Sequence, residues 1–248
     1  EEFKEYTYLS ARKNSGKYRR VTTVLNKNGD QFATVVIPYD QFRSVTNIKA
    51  NLYDANGKLI RKSKPSDIID LPYSSTYLQF DDSRYKALNP LVSQYPYTIE
   101  VEYEVSYDGS YYFPDLAVPG NFNLSTEKFT LKINTPFDYE LYYRQFNLPS
   151  DQPVIKTMET GKSYTWTVSN IKAFDSEPFG DDLFRYTPSV FTAPSVFSVG
   201  GFEGLNKSWN DFARWVAMIN KGRDVLPENR VREIQDMVIN IPGEREKV

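Results

Sequence analysis

Alternation of apolar and polar positions is strongest between residues 95 and 108. Tyr95, Tyr97, Ile99, Val101, Tyr103, Val105 and Tyr107 share one parity, and Pro96, Thr98, Glu100, Glu102, Glu104, Ser106 and Asp108 share the other. Successive side chains of a strand point to opposite faces, so this period of two predicts a strand with one buried and one wet face. Asp108-Gly109 then predicts a hairpin turn, because both residue types tolerate positive φ. A second alternating run places Phe129, Leu131 and Ile133 on one face and Lys128, Thr130 and Lys132 on the other. Tyr139, Leu141 and Tyr143 alternate as well, as do Tyr164, Trp166 and Val168.

Turn signals divide the first hundred residues in the same manner. Asn28-Gly29 separates Tyr18 to Leu25 from Phe32 to Ile37, and Asn56-Gly57 separates Ile48 to Tyr53 from Lys58 to Arg61, so both predict antiparallel hairpins. Between Phe174 and Gly204, Pro178, Gly180, Pro188, Pro194, Gly200, Gly201 and Gly204 interrupt short apolar pieces such as Val190-Phe191 and Val196-Phe197. This composition predicts an extended segment laid over the rest, because its Phe and Val residues need burial.

Helical periodicity begins only after residue 205. Ser208 is placed to cap a helix with Asp211 three residues on, and Phe212, Trp215, Val216 and Ile219 form one stripe. Gly222 ends that helix, Pro227 fits the start of the next, and Val231, Ile234 and Val238 form its stripe. Many short strands with turns predict two packed sheets, since a lone sheet would leave an apolar face wet. The expected fold is therefore all-β: a large antiparallel β-sandwich over residues 1–204, with a short C-terminal helical extension over 205–248. The last stretch, Gly243 to Val248, reads as the approach to a further domain.

Composition narrows the chemistry. The 248 residues contain no Cys and no His, so thiol nucleophiles, imidazole bases and the usual zinc ligand sets are excluded. Thirty Lys and Arg against thirty-two Asp and Glu give a net charge of −2, without a basic run of the kind that binds nucleic acid or an anionic membrane. No apolar stretch approaches the ~20 residues that span a bilayer.

Several stretches together resemble a bacterial domain-of-unknown-function family that forms the N-terminal part of transglutaminase-like proteins. They are Asp82-Ser83-Arg84-Tyr85-Lys86, Tyr95 to Glu100 with Glu102-Tyr103, Thr165-Trp166-Thr167-Val168-Ser169-Asn170, Glu177-Pro178, Pro188 to Phe197, and Ser208-Trp209 through Trp215. In such proteins the helical stretch leads into a papain-like core with a Cys, His, Asp arrangement, which a chain without Cys and His does not carry. The resemblance implies a noncatalytic accessory domain of a larger bacterial protein, periplasmic, cell-surface or secreted. Its implied partner is the C-terminal transglutaminase-like domain of the same polypeptide.

Individual sites are weighed on this background. Glu100, Glu102 and Glu104 share a strand face and could bind calcium, but a solvated face opposite Lys128 and Lys132 is the simpler expectation. Asp81-Asp82-Ser83-Arg84 holds adjacent carboxylates that point apart on an extended chain, so a turn or an Asp to Arg84 ion pair is expected. Asn26 to Asp30 lacks the acidic first ligand and the distal Glu of a calcium loop, so a hairpin is expected there. No catalytic, cofactor-binding or metal-binding residue is assigned, and no cofactor is expected. Trp215, Ile219, Ile234 and Val238 are candidate docking residues for another domain. Tyr111, Tyr112 and Tyr142 are candidate contacts for a glycan or peptide, the alternative function being an independent binding module.

Overall fold

The β-branched and aromatic alternation of the chain is realised as strands in a computed structural model that describes residues 1–73, 82–90, 92, 94–149, 151, 153–223, 225–241 and 243. The strands are β1 (Glu2–Tyr8), β2 (Lys13–Val24), β3 (Val35–Tyr39), β4 (Arg43–Tyr53), β5 (Leu59–Lys62), β6 (Ile69–Pro72), β7 (Arg84–Leu88) and β8 (Tyr97–Asp108). They continue as β9 (Leu116–Ala117), β10 (Thr126–Thr135), β11 (Leu141–Phe146), β12 (Val154–Met158), β13 (Gly161–Ile171), β14 (Ser189–Pro194), β15 (Val196–Val199) and β16 (Phe202–Leu205). Helices are α1 (Asp30–Ala33), α2 (Trp209–Asn220) and α3 (Glu228–Val238).

One long sheet organises the molecule, in the order β12-β13-β10-β1-β2-β8-β4-β5. Its pairings are antiparallel except that β1 and β10 run parallel. Residues opposite one another across a ladder share a face, and the register aligns Tyr6 with Ile133 and Gly16, and Tyr18 with Tyr103. The apolar residues of β8, β1 and β10 therefore lie on one common face. Two small sheets cover that face side by side. The sheet β3-β7-β6 shares a core with β2, β4 and β8 through Val35, Ile37, Leu88, Ala50, Leu52, Ile99 and Val101. The sheet β11-β14-β9 shares a second core with β1, β10 and β13 through Leu141, Val190, Leu116, Tyr6, Leu131, Ile133 and Trp166. One continuous sheet thus carries two adjoining sandwiches.

A tyrosine seam joins the two cores. Tyr107 packs against both clusters, its hydroxyl is hydrogen-bonded to that of Tyr18, and Tyr18 stacks on Tyr103 at 4.9 Å. The opposite face of the long sheet is polar, as an antiparallel sheet allows. There Glu5 pairs with Lys132 at 2.8 Å and Arg19 with Glu100 at 2.6 Å.

β8 keeps the expected register: Tyr97, Ile99, Val101 and Val105 are buried, and Glu102 and Ser106 are exposed. The partners of its carboxylates differ from expectation. Lys128 and Lys132 lie on β10, three strands away, whereas β2 and β4 flank β8. Glu100 accordingly accepts from Arg19, Tyr53 and Asn51, and Glu104 from Asn47.

Two expected hairpins are absent. After Asn28-Gly29 the chain crosses to the other sheet, because Asn26 Oδ1 accepts from the Asn28 N–H and winds residues 27–29 into a 3-10 turn that runs into α1. The carboxylate of Asp30 then receives the hydroxyls of Tyr95 and Tyr97 at 2.7 and 3.0 Å, pinning α1 against β8. After Asp108-Gly109 the chain leaves for β9. Gly109, at φ +116°, serves a tight crossing: its N–H donates to Arg12 O, and a Cβ there would lie 2.5 Å from Ser198 O. The Asn56-Gly57 hairpin between β4 and β5 is present, with Asp54 Oδ1 accepting from the N–H groups of Asn56 and Lys58.

The segment from 174 to 204 is more regular than expected. It supplies β14, the centre of one small sheet, and most of the β15–β16 hairpin, whose turn residues Gly200 and Gly201 have φ of +56° and +84°. Two consecutive positive φ values suit a two-residue hairpin loop.

Candidate functional site

Polar clusters found on the strands are engaged within the protein. Arg84 pairs with Asp70 at 2.9 Å rather than with Asp82, which accepts from the Gln41 N–H; Asp81 lies outside the described residues. The reason is strand pairing: β7 lies beside β6, which aligns Asp70 with Lys86, two residues from Arg84 and on the same face of β7. Tyr39, Lys86 and Arg84 all donate to Asp70, in that order of effect, and hold its carboxyl down to about 2. Burial raises the Glu100 carboxyl, but the donors Tyr53, Arg19 and Asn51 outweigh it and leave the group lowered. Both clusters have the character of structural ion pairs. Among the described residues no three Asp or Glu side chains converge as a metal site would require.

The unusual surface lies where β15, β16 and α2 meet the segment after β8. Ser208 caps α2, its Oγ accepting from the Asp211 N–H at 3.1 Å and donating to Asp211 Oδ2 at 2.6 Å. The cap fixes the helix start so that the Phe212 and Trp215 side turns toward the hairpin. Trp215 donates its indole N–H to Phe202 O at 3.1 Å, and its ring lies over Gly204. Phe197 meets Trp215 edge-on at 5.1 Å and Tyr111 edge-on at 5.2 Å, while Tyr111 stacks parallel to Trp215 at 6.1 Å. Offset and edge-on pairs of this kind hold each ring at a fixed angle.

Two hollows flank this aromatic set. One, of about 230 Å³, is lined by Tyr111, Tyr112, Asp115, Thr192, Phe212 and Asn206, among others. The other, of about 350 Å³, lies on the far side of Trp215 against Leu205, Glu203, Arg214 and Met218. In the first, Asp115 Oδ1 accepts from the Thr192 N–H at 2.9 Å. Asp115 is exposed as a residue, yet partial desolvation by the protein around its carboxyl raises that group, and the hydrogen bond and the Lys4 ammonium only partly offset it.

The residues singled out by sequence fall into three groups. Tyr111, Tyr112 and Trp215 come together; Tyr111 and Trp215 are half-buried and Tyr112 is 80% exposed. Tyr142, half-buried on β11, is aligned with Ala193 of β14, which lines the first hollow, and its hydroxyl lies 3.4 Å from Glu140 Oε2. Ile219 and Val238 are half-buried and Ile234 is exposed, with Met237 and Ile239 beside it at 69% and 73%. No residue of α2 or α3 is buried. Asp115, Asn206 and Thr192 had no sequence signal, because nothing local marks residues that meet only through the β14–β15–β16 path.

Comparison with known proteins gives a family and a fold. The model of a domain of unknown function with a solved structure, DUF3857, matches residues 12–175. A crystal structure of a "putative protease" from Parabacteroides distasonis ATCC 8503 aligns with 99% of this chain at a TM-score of 0.69 and 14% identity. This chain covers 47% of that protein, so it spans about half its length. An aminopeptidase N family protein from Idiomarina loihiensis aligns with 88% of this chain and 35% of its own, at 11% identity and a TM-score of 0.28, too low to carry an argument. No curated protein matches the chain. Among the described residues no helix is long and apolar enough to cross a membrane.

Proposed function

The chain belongs to the DUF3857 family, and we propose that it acts as a noncatalytic N-terminal accessory domain of a longer bacterial transglutaminase-like protein, exported to the periplasm or cell surface. In this reading residues 1–204 form the body, and residues 205–248 form the docking element that packs against and positions the catalytic part. The observation that carries the reading is α3. Its apolar side chains Ile234 and Met237, with Ile239 just beyond, stay 46%, 69% and 73% exposed, although burying an aliphatic side chain is worth about 1.5–3 kcal/mol. A helix that displays such residues is suited to an interdomain surface.

Two further observations support it. Without Cys or His the chain cannot itself supply a thiol nucleophile and its imidazole base. A relative in which this fold occupies about half the length provides a precedent for joining it to further sequence. The test is to express residues 1–248 and the following part of the longer polypeptide as separate chains and measure their association. Binding that weakens about tenfold or more in the double variant Ile234→Asp, Met237→Asp supports the role; absence of association, or association indifferent to those changes, contradicts it.

A further inference from the structure

The hollow beside Tyr112 has features that interdomain packing does not require. We propose that it is a binding site for a single neutral pyranose ring of a glycan. This proposal does not rest on the accessory role.

Its walls are aromatic planes set at a fixed angle. Tyr111 and Tyr112 stand 4.7 Å apart at 87°, so they form a corner, and Phe212 adds a further aromatic wall to the same hollow. Tyr111 is immobilised by Phe197 and Trp215 behind it, which prepays the ordering cost of a binding platform. The C–H faces of a sugar ring can lie against one ring while its rim of hydroxyls meets polar groups. Such groups are present. Asp115 Oδ1 is fixed by Thr192, while Oδ2 has no protein donor among the described residues. Asn206 is anchored through its backbone N–H to Ser195 O at 2.9 Å, and its amide side chain makes no hydrogen bond among the described residues. An acceptor-only carboxylate and a donor-acceptor amide lining one hollow match the donor-acceptor character of sugar hydroxyls.

Other ligand classes fit less well. An extended peptide would have to add to β14 beyond its short pairing with β9 at residues 189–190, but there the Thr192 N–H is already taken by Asp115, and Pro194, the next residue of that parity, has no N–H. An anion meets no Lys or Arg among the lining residues and faces Asp115. Lys4 lies outside the lining, but its ammonium, donating to the Asp115 carbonyl at 3.3 Å, already offsets the carboxylate charge that a cation would need. The volume of about 230 Å³ is below the ~300–1,000 Å³ of sites for drug-sized molecules, which suits one ring of a longer chain.

The experiment is a fluorescence and NMR titration of the 248-residue chain with cellopentaose, xylopentaose, mannopentaose and chitopentaose. Tyr112→Ala and Asp115→Asn serve as variants, and tri-lysine as the cationic comparison. Saturable binding of at least one oligosaccharide, weakened about tenfold or more by Tyr112→Ala with the fold unchanged by circular dichroism, is the expected result. The proposal is overturned by no saturation with any of the four up to about 10 mM, by binding indifferent to both substitutions, or by saturation with tri-lysine alone.

Discussion

Trp215 lies over Gly204 at a separation that leaves no room for a β-carbon. A Cβ at Gly204 would come within 2.8 Å of the indole Cδ1 and 2.6 Å of Phe197 Cζ. The indole also donates to Phe202 O, so helix α2 is seated on the β15–β16 hairpin by one ring that fits only above a glycine. The cluster of Tyr111, Phe197 and Trp215, and both hollows beside it, depend on this seat.

Gly204→Ala should therefore destabilise the protein by about 1–3 kcal/mol, the usual cost of overpacking. Gly120→Ala is the control, since nothing lies within 4 Å of a Cβ there. Chemical-denaturation midpoints check the pair, together with amide exchange across 209–220. Equal midpoints would mean that α2 is not held by Trp215.

Val101 is 2% exposed, whereas Glu102, its neighbour on β8, has a side chain 48% exposed and only a 3.6 Å ion pair with Arg19. An unpaired carboxylate at the first position has no donor, so Val101→Asp should cost at least about 3 kcal/mol or unfold the domain. Glu102→Gln should shift stability by under about 0.5 kcal/mol. Urea titration of both variants decides the register.

Asp70 gives a pH signature. Its carboxyl is held at about 2, below the ordinary 3.8, by Tyr39, Lys86 and Arg84. A lowered acid binds its proton less readily in the folded state, so its contribution is complete above 3.8 and is lost as pH falls toward about 2. Asp70→Asn should lower stability at neutral pH and flatten the acid limb. An identical acid limb in both proteins would show that the Asp70 cluster contributes nothing to it.

Tyr139 fastens β11 to the β14–β15 corner. Its hydroxyl accepts from the Ser195 N–H at 3.1 Å and donates to Val196 O at 3.3 Å. Tyr139→Phe leaves both backbone groups without this partner and should cost about 1–3 kcal/mol. The thermal midpoint measures the loss, and no change would show that solvent replaces the hydroxyl.

The burial of Ile99, Val101 and Val105 and the exposure of Glu102 were legible in the sequence, because alternation states which face a side chain occupies. It does not state which strand lies alongside. Glu100 finds Arg19 on β2 for that reason, and not the lysines of β10. Asp108-Gly109 misleads similarly: the glycine is needed for an approach to Ser198 on β15, far along the chain, and no local pattern encodes that contact. The Ser208 cap was legible because it is formed within one turn of chain. Tyr111, Tyr112 and Trp215 stood out as large aromatics, but their meeting with Asp115 and Asn206 is a product of the β14–β15–β16 path.

If α3 is a docking element, its amide hydrogen exchange depends on whether the rest of the polypeptide is present. Exchange across residues 228–241 is to be compared between the 248-residue chain and the longer polypeptide proposed to contain it. The account predicts rapid exchange of α3 in the shorter chain and strong protection in the longer one, with β8 equally protected in both. Identical protection of α3 in the two proteins would contradict the claim and assign the helix wholly to this domain.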